Sequence, residues 1–261
     1  MTPQRLGQHF LADENWRQRI ARAIPPGGVW IEIGAGHGEM TELLAKTAER
    51  VVAVELDSLL LPKLTQRIAP LGNVTLAAGD VMELDLAELA GAERFSVYGN
   101  LPYYITSPIV HRILKHADRI DTVFLVMQME VAERLVAPPG GSERGYFSAF
   151  TQFYASPQIL LRIPPGVFRP PPKVTSALVL LRPPGERVHL GIADEPGFLR
   201  FLKVCFAQKR KTLRNNLRAL LPAARAERAL EQAGIAPGAR AEQLTLTQFA
   251  RLFALCSDGS A

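Results

Sequence analysis

The first two-thirds of the chain alternate short, apolar, β-branched runs with longer segments of helical periodicity. Such an alternation is typical of a parallel sheet covered by helices. The runs are almost continuously apolar, as expected of strands that are buried on both faces. We therefore predict an α/β sheet with strands at residues 29–33, 50–55, 74–77, 95–98 and 122–127.

Two further apolar runs, at residues 159–163 and 177–181, follow each other without a long intervening helix. The sheet is therefore predicted to end in an antiparallel hairpin. The proline-rich segment between them, residues 164–172, must be an extended loop because proline restricts the residue before it.

Beyond Pro183 and Pro184 the pattern is wholly helical, with predicted helices at residues 196–220, 223–233 and 247–255. We therefore predict two domains, residues 1–185 and residues 186–261.

The charge of the chain is unevenly placed. The formal net charge is +5, and the last 76 residues hold 12 Lys and Arg against 7 Asp and Glu, whereas the rest is balanced. Spacing of i, i+4 would put Arg210, Arg214 and Arg218 on one face of the long predicted helix, next to Lys209 and Lys211. This face is predicted to contact phosphates, and a solvated basic face is the alternative.

Several classes of protein are disfavoured by the sequence. Cys205 and Cys256 have no spacing typical of a disulfide framework or a zinc site, and we predict no metal. No apolar run reaches the roughly 20 residues that a membrane span needs, and the first residues lack the apolar stretch of a signal peptide. We therefore expect a cytoplasmic protein that does not bind membranes.

Three successive predicted strands end in residues suited to binding a nucleoside. The first runs into a glycine loop, Gly34-Ala35-Gly36-His37-Gly38, whose backbone amides can approach a ligand closely. Glu55 ends the second strand, where its carboxylate can accept both ribose hydroxyl protons, and Asp80 follows the third, where it can accept from an adenine amine. A dinucleotide fingerprint is not matched, because position 39 is Glu where that motif has Gly or Ala.

The segment Asn100-Leu101-Pro102-Tyr103 follows the fourth predicted strand. Methylation of an exocyclic aromatic amine is difficult because the nitrogen lone pair is delocalised into the ring. The Asn100 side-chain oxygen and the Leu101 carbonyl can accept both amine hydrogens and favour a pyramidal, more nucleophilic nitrogen. Pro102 stiffens this loop, and Tyr103 can stack on an extruded base.

The sequence resembles the ribosomal RNA adenine dimethyltransferase family over nearly its whole length. The resemblance lies in these motifs: Gln8-His9-Phe10-Leu11, Glu32-Ile33-Gly34-Ala35-Gly36, Glu55-Leu56-Asp57, Gly79-Asp80, Asn100-Leu101-Pro102-Tyr103 and Phe168-Arg169-Pro170-Pro171-Pro172-Lys173-Val174-Thr175-Ser176. The segments 208–217 and 240–242 are similar to the KsgA (RsmA) branch of the family.

This resemblance implies a Rossmann-like class I methyltransferase sheet with the antiparallel end hairpin and a small all-helical C-terminal domain. It implies S-adenosylmethionine as cofactor and, as partner, 16S rRNA in a pre-30S particle, where two adjacent adenosines of the 3′-terminal hairpin are dimethylated. We expect the protein to act as a monomer.

Matching positions assign the site residues. The implied cofactor contacts are His9, Leu11, Gly34, Gly36, Glu55, Asp80 and Asn100. One departure is His9, because the family usually has Asn there and an imidazole lacks the geometry of an amide. Phe168, in the proline-rich loop, is a candidate to stack on the target base.

Three other functions are weighed against this one. An Erm-type enzyme acting on 23S rRNA is disfavoured by the basic C-terminal segment. A non-catalytic ribosome-assembly factor is disfavoured because the glycine loop and Asn100–Tyr103 are intact. A dehydrogenase is disfavoured by Glu39 and by the absence of residues suited to hydride transfer.

Overall fold

The structure, a computed structural model, describes residues 8–257 in two compact units. The first unit comprises the described residues up to Ala132 together with Pro157–Pro183. The second comprises Glu133–Ser156 and the described residues from Pro184 onward. The predicted domain boundary, between residues 185 and 186, differs from this division in that the second unit also contains the earlier segment Glu133–Ser156.

A seven-stranded sheet forms the centre of the first unit. Strands β1 and β8 pair separately and form a two-stranded sheet. The strands are β1 (Phe10–Leu11), β2 (Val29–Ile33), β3 (Arg50–Glu55), β4 (Val74–Ala78), β5 (Phe95–Asn100), β6 (Ile120–Gln128), β7 (Ser156–Ile163), β8 (Phe168–Arg169) and β9 (Ser176–Arg182). The predicted α/β fold is confirmed, and each predicted strand lies within an observed one.

The order of the main sheet is β4-β3-β2-β5-β6-β9-β7. Strands β2 to β6 pair in parallel, and β9 pairs antiparallel with β6, from Val123 opposite Leu181 to Gln128 opposite Ser176. The chain thus builds the sheet outward from β2 in one direction and then, starting with β5, in the other. Open α/β sheets bind ligands at such a reversal, outside the carboxyl ends of the strands.

Short helices connect the strands of the first unit: α1 (Glu14–Ala23), α2 (Glu39–Ala45), α3 (Leu61–Ile68), α4 (Leu86–Ala90) and α5 (Thr106–Leu114). The division between the units falls within α6 (Met129–Val136). Side-chain caps fix two of the helix starts. Asp13 accepts a hydrogen bond from the Trp16 amide, and Asp85 accepts from the first turn of α4. A core of buried side chains that includes Trp30, Tyr98 and Phe124 covers one face of the sheet.

The second unit is helical. Its helices are α7 (Tyr146–Tyr154), α8 (Arg187–Leu190), α9 (Glu195–Cys205), α10 (Leu213–Leu217), α11 (Ala223–Gln232) and α12 (Leu246–Ser257). They surround one core in which Phe153 of α7 packs with Phe198 of α9, their ring centroids 5.3 Å apart. This packing explains why residues 133–156 belong with the C-terminal segment although the sheet strands β7 and β9 follow them in the chain.

The single helix predicted at residues 196–220 is wrong, because the chain breaks between α9 and α10. Thr212 caps α10 by accepting a hydrogen bond from the Asn215 amide. The buried Asn216 side chain donates to the carbonyl of Cys205 at 2.6 Å, which satisfies a carbonyl that the interrupted helix leaves without its usual partner. The predicted helices 223–233 and 247–255 are confirmed to within two residues. No helix among the described residues is long and apolar enough to span a membrane.

Candidate active site

A cleft lies at the carboxyl ends of β2 to β5, within the first unit. Most of the residues predicted for the site lie along this cleft. It is lined by Gln8, His9, Phe10, Ile33, Gly34, Gly36, Val54, Glu55, Leu56, Gly79, Asp80, Val81, Asn100, Leu101, Pro102, Tyr103, Tyr104, Ile105 and Ile109. The separate segments of the sequence converge here because parallel strands end at one edge of the sheet.

The glycine loop between β2 and α2 depends on the absence of side chains. Gly34 and Gly36 adopt φ angles of 73° and 60°, which other residues rarely adopt. A Cβ atom at Gly36 would lie 3.2 Å from the Phe10 ring. Any larger residue at position 36 would therefore both strain the loop and press against the N-terminal segment.

Glu55, at the end of β3, is 4% exposed and braces this loop. One carboxylate oxygen accepts from the Gly36 amide at 2.7 Å, and the other accepts from the Asp57 amide at 2.8 Å. Each oxygen keeps a second lone pair, so the carboxylate can still accept from a hydroxyl in the cleft. Asp80, after β4, lines the cleft and accepts from the Met82 amide at 2.8 Å.

The N-terminal segment fixes the orientation of Asn100. The Asn100 amide nitrogen donates to the His9 carbonyl at 2.9 Å, so Oδ1 is the amide atom that can accept from a ligand. The next residue, Leu101, is anchored to the sheet because its amide donates to the Val126 carbonyl of β6 at 3.0 Å. The loop then turns into α5, with the Pro102 carbonyl accepting from Thr106 Oγ1 at 3.2 Å.

The His9 ring contacts the proline-rich loop and Tyr103. Its Nδ1 donates to the Pro170 carbonyl at 2.8 Å, and its ring centroid lies 5.2 Å from that of Tyr103. His9 lines the cleft as predicted, and its ring ties the N-terminal segment to the proline-rich loop.

Tyr103 is held at its hydroxyl, which lies 2.7 Å from Ser176 Oγ. Burial raises the pKa of the Tyr103 phenol, and the hydrogen bond with Ser176 acts in the opposite direction. Ser176 is fully buried at the start of β9 and was not among the predicted site residues. One signal in the sequence could have identified Ser176, because it is the last residue of the proline-rich motif.

Two of the predicted contact residues, Phe168 and Leu11, are buried in the core of the first unit. Phe168 is fully buried in the sheet's core and pairs with Leu11 across β1 and β8, so its ring cannot stack on a base. Leu11 is 7% exposed, belongs to the same core and does not line the cleft. Their physical role is to attach the N-terminal segment to the proline-rich loop.

The residues that line the cleft include two carboxylates, Glu55 and Asp80, and among the described ones no lysine or arginine. A pyrophosphate would find no compensating cation there, whereas a cationic ligand is favoured. The Gln8 Oε1 atom is buried at this cleft and accepts no hydrogen bond from any described residue. Buried oxygens of this kind are normally satisfied, so Gln8 offers an acceptor to a bound molecule. Residues 8–257 contain no cluster of three or more His, Cys, Asp or Glu that could hold a metal.

The predicted basic residues lie in the second unit. Lys209, Arg210 and Lys211 are exposed in the turn between α9 and α10, and Arg218 is exposed just after α10. The prediction that Arg210, Arg214 and Arg218 share one helical face is therefore wrong, because Arg210 lies outside α10. Arg214 differs again, because it is half-buried and forms an ion pair with Glu227 at 3.1 Å.

Comparison with known proteins gives a consistent result. A profile described as "Ribosomal RNA adenine dimethylase" matches residues 2–258. A curated protein from Acidobacterium capsulatum, "Ribosomal RNA small subunit methyltransferase A", is 43% identical over 98% of this chain and 92% of its own length.

Two solved structures share the fold. A dimethyladenosine transferase from Plasmodium falciparum has a TM-score of 0.80 at 24% identity and covers 94% of this chain and 96% of its own. The 23S rRNA methyltransferase ErmE has a TM-score of 0.72 at 28% identity and covers 94% of this chain and 98% of its own. The similarity thus extends over both compact units.

Glu32 on β2 is a buried carboxyl group just before the glycine loop. It is 2% exposed, accepts from Thr41 Oγ1 on α2 and pairs in register with the buried Tyr98. Burial raises the pKa of Glu32 to about 8, against the lowering effect of the Thr41 hydrogen bond, and the charge of Glu55 raises it further. The carboxyl is therefore mostly protonated at neutral pH.

A pH dependence of stability follows. Because the folded pKa of Glu32 lies above its ordinary value of 4.5, its contribution to stability is complete below about pH 4.5 and is lost as the pH rises to about 8. Glutamine cannot ionise, so the stability of Glu32→Gln should not fall in this way. Its free energy of unfolding relative to that of the wild type should therefore rise by a few kcal/mol across this window, at about 1.4 kcal/mol per pKa unit. Denaturant unfolding at a series of pH values measures the difference. Glu49→Gln, at an exposed acid before β3, is the control, and a difference between Glu32→Gln and the wild type that does not vary with pH would contradict the assignment.

Proposed function

The chain belongs to the ribosomal RNA adenine dimethylase family, and on that basis we propose that it dimethylates N6 of two adjacent adenosines in the 3′-terminal hairpin of 16S rRNA, using S-adenosylmethionine. The observation that carries the proposal is the Asn100 amide, whose nitrogen is bound by the His9 carbonyl while its oxygen is left to a ligand in the cleft. The 43% identity to a small-subunit methyltransferase supports 16S rRNA over the 23S substrate named for ErmE. We propose a pre-30S particle as the form of the substrate. The monomeric state and the cytoplasmic location of this protein stay predictions.

The residues of the cleft suit the cofactor. Glu55 would accept from the ribose hydroxyls and Asp80 from the adenine amine, while Leu56 and Val81 offer apolar surface to the adenine ring. Gln8 Oε1 would accept from the ammonium group. The two carboxylates also favour a ligand with a positively charged sulfonium.

When bound, S-adenosylmethionine supplies an electrophilic methyl group. The protein's own contribution is to orient the amine and to raise its nucleophilicity. Asn100 Oδ1 and the Leu101 carbonyl would accept the two amine hydrogens, and both groups are preorganised by their bonds to the His9 carbonyl and to β6. The amine nitrogen would bond to that methyl carbon as the carbon–sulfur bond breaks, and it would then lose a proton to solvent. The ring of Tyr103 would support the extruded base by stacking.

Exposed basic residues of the second unit would bind the RNA backbone. Lys209, Arg210, Lys211 and Arg218 are exposed, so they are accessible to phosphates. The Lys209 ammonium also donates a hydrogen bond to the Ser142 carbonyl. Arg214 would contribute less, because its charge is already paired with Glu227. Such contacts supply affinity and orientation, while the loop at Asn100 determines the chemistry.

Cofactor affinity tests the role of Glu55. We expect Glu55→Ala to weaken S-adenosylmethionine binding by about 1–3 kcal/mol, the range for losing hydrogen bonds to a charged group. Isothermal titration calorimetry measures the change. Asp57→Asn is the matched control, because Asp57 is a neighbouring buried acid that does not line the cleft. Equal affinities of Glu55→Ala and the wild type would remove Glu55 from the cofactor site.

Methyl transfer to isolated ribosomal precursors tests the function itself. Labelled S-adenosylmethionine and precursor small subunits lacking the modification should yield N6,N6-dimethyladenosine at two adjacent positions, detected by mass spectrometry of RNA fragments, and 23S rRNA should not be modified. Asn100→Ala should lower the single-turnover rate by about 10²-fold or more, because it removes a preorganised acceptor that acts mainly in the transition state. Modification of 23S rRNA alone would support the Erm-type function. A near-normal rate for Asn100→Ala would contradict the role of its amide.

Salt dependence tests the RNA-binding residues. Replacing Arg210, Lys211 and Arg218 together by Ala should weaken RNA binding and lower the slope of log K against log salt by roughly 1 for each lost phosphate contact. Filter binding at several salt concentrations measures this slope. Arg214→Ala is the comparison, and we expect it to change the slope less because Arg214 is ion-paired. If the triple variant keeps the wild-type slope, the basic segment is merely solvated.

A further inference from the structure

The hydroxyl of Tyr103 is bound by a residue that lies two strands away. Tyr103 follows β5, whereas Ser176 begins β9, and β6 lies between these strands. Neighbouring strands are about 4.8 Å apart, so the tyrosine side chain must span the end of β6 to reach Ser176 Oγ at 2.7 Å. The contact therefore connects the loop after β5 to the start of β9, next to the proposed position of the target base.

A second contact limits the same ring. The His9 imidazole lies 5.2 Å from the Tyr103 ring, at an interplanar angle of 32°, and is itself tied to the Pro170 carbonyl. The Tyr103 ring is thus held at its hydroxyl by β9 and on one side by the N-terminal segment. A tyrosine side chain has only two torsion angles, and these two contacts determine both.

We propose that Ser176 is a positioning residue for the target base: through the Tyr103 hydroxyl it fixes the aromatic ring in the orientation that stacks on the base. This inference rests on the proposed function. A preorganised ring loses little conformational entropy when the base arrives, whereas a ring released from Ser176 must be ordered at that moment. Full burial of Ser176 excludes direct contact with RNA, so its effect on the reaction must pass through Tyr103.

A double-mutant cycle tests this coupling. We expect Ser176→Ala and Tyr103→Phe each to lower the single-turnover methyl-transfer rate by about 3- to 10-fold, the scale of one net hydrogen bond. The double variant should be no slower than the slower single variant, because both substitutions remove the same interaction. Affinity for S-adenosylmethionine should not change. Ser96→Ala is the matched control, since Ser96 is a buried serine near the start of β5 whose hydroxyl lies 3.3 Å from Thr122 Oγ1.

A spectroscopic measurement tests the contact without relying on activity. Ultraviolet resonance Raman bands of tyrosine report the hydrogen bonding of the phenol, and the band change in Ser176→Ala should be absent in the Tyr103→Phe background. Should wild-type protein methylate no RNA, the proposed function fails while the Raman comparison still decides the contact. Rate effects of the two substitutions that multiply, or a Ser176→Ala rate equal to that of Ser96→Ala, would overturn the positioning role.

Discussion

The reversal of strand order between β2 and β5 is the constraint on which the site depends. It places the glycine loop after β2 next to Asn100 after β5, and it leaves Glu55 and Asp80 on successive strands to one side. On the other side, β6 and β9 carry the anchors of the Asn100 loop, namely the Val126 carbonyl and Ser176. The proposed cofactor site is thus formed mainly at the ends of β2, β3 and β4, and the proposed site of the target base at the ends of β5, β6 and β9.

The strands and the polar residues at their ends could be predicted because both depend on local pattern. Strands buried on two faces are apolar throughout, and a carboxylate or amide directly after such a strand stands out. The break between α9 and α10 could not be predicted, since it depends on Asn216 reaching the Cys205 carbonyl. The burial of Phe168 could not be predicted, because a loop rich in proline has no periodicity from which to infer which side chains face the core. Ser176 was missed because a buried serine has no distinctive sequence pattern.

The two compact units differ in the charge that they offer to ligands. The cleft of the first unit has carboxylates and buried acceptors, including Gln8, which suit a cationic small molecule. The second unit exposes Lys209, Arg210, Lys211 and Arg218. Electrostatics therefore favours different ligands on different parts of the chain. The protonation of Glu32, just before the glycine loop, reduces the negative charge that is buried close to the cleft.

The pairing of β1 with β8 has a consequence for the synthesis of the protein. His9 and Pro170, which are hydrogen-bonded beside this pair, are 161 positions apart in the chain. During translation the N-terminal segment leaves the ribosome first, yet its partner strand arrives only after most of the sheet has been made. The His9 carbonyl can hold the Asn100 amide stably only once that partner is in place. The Asn100 loop of the nascent chain therefore lacks its full set of contacts until the proline-rich segment has emerged.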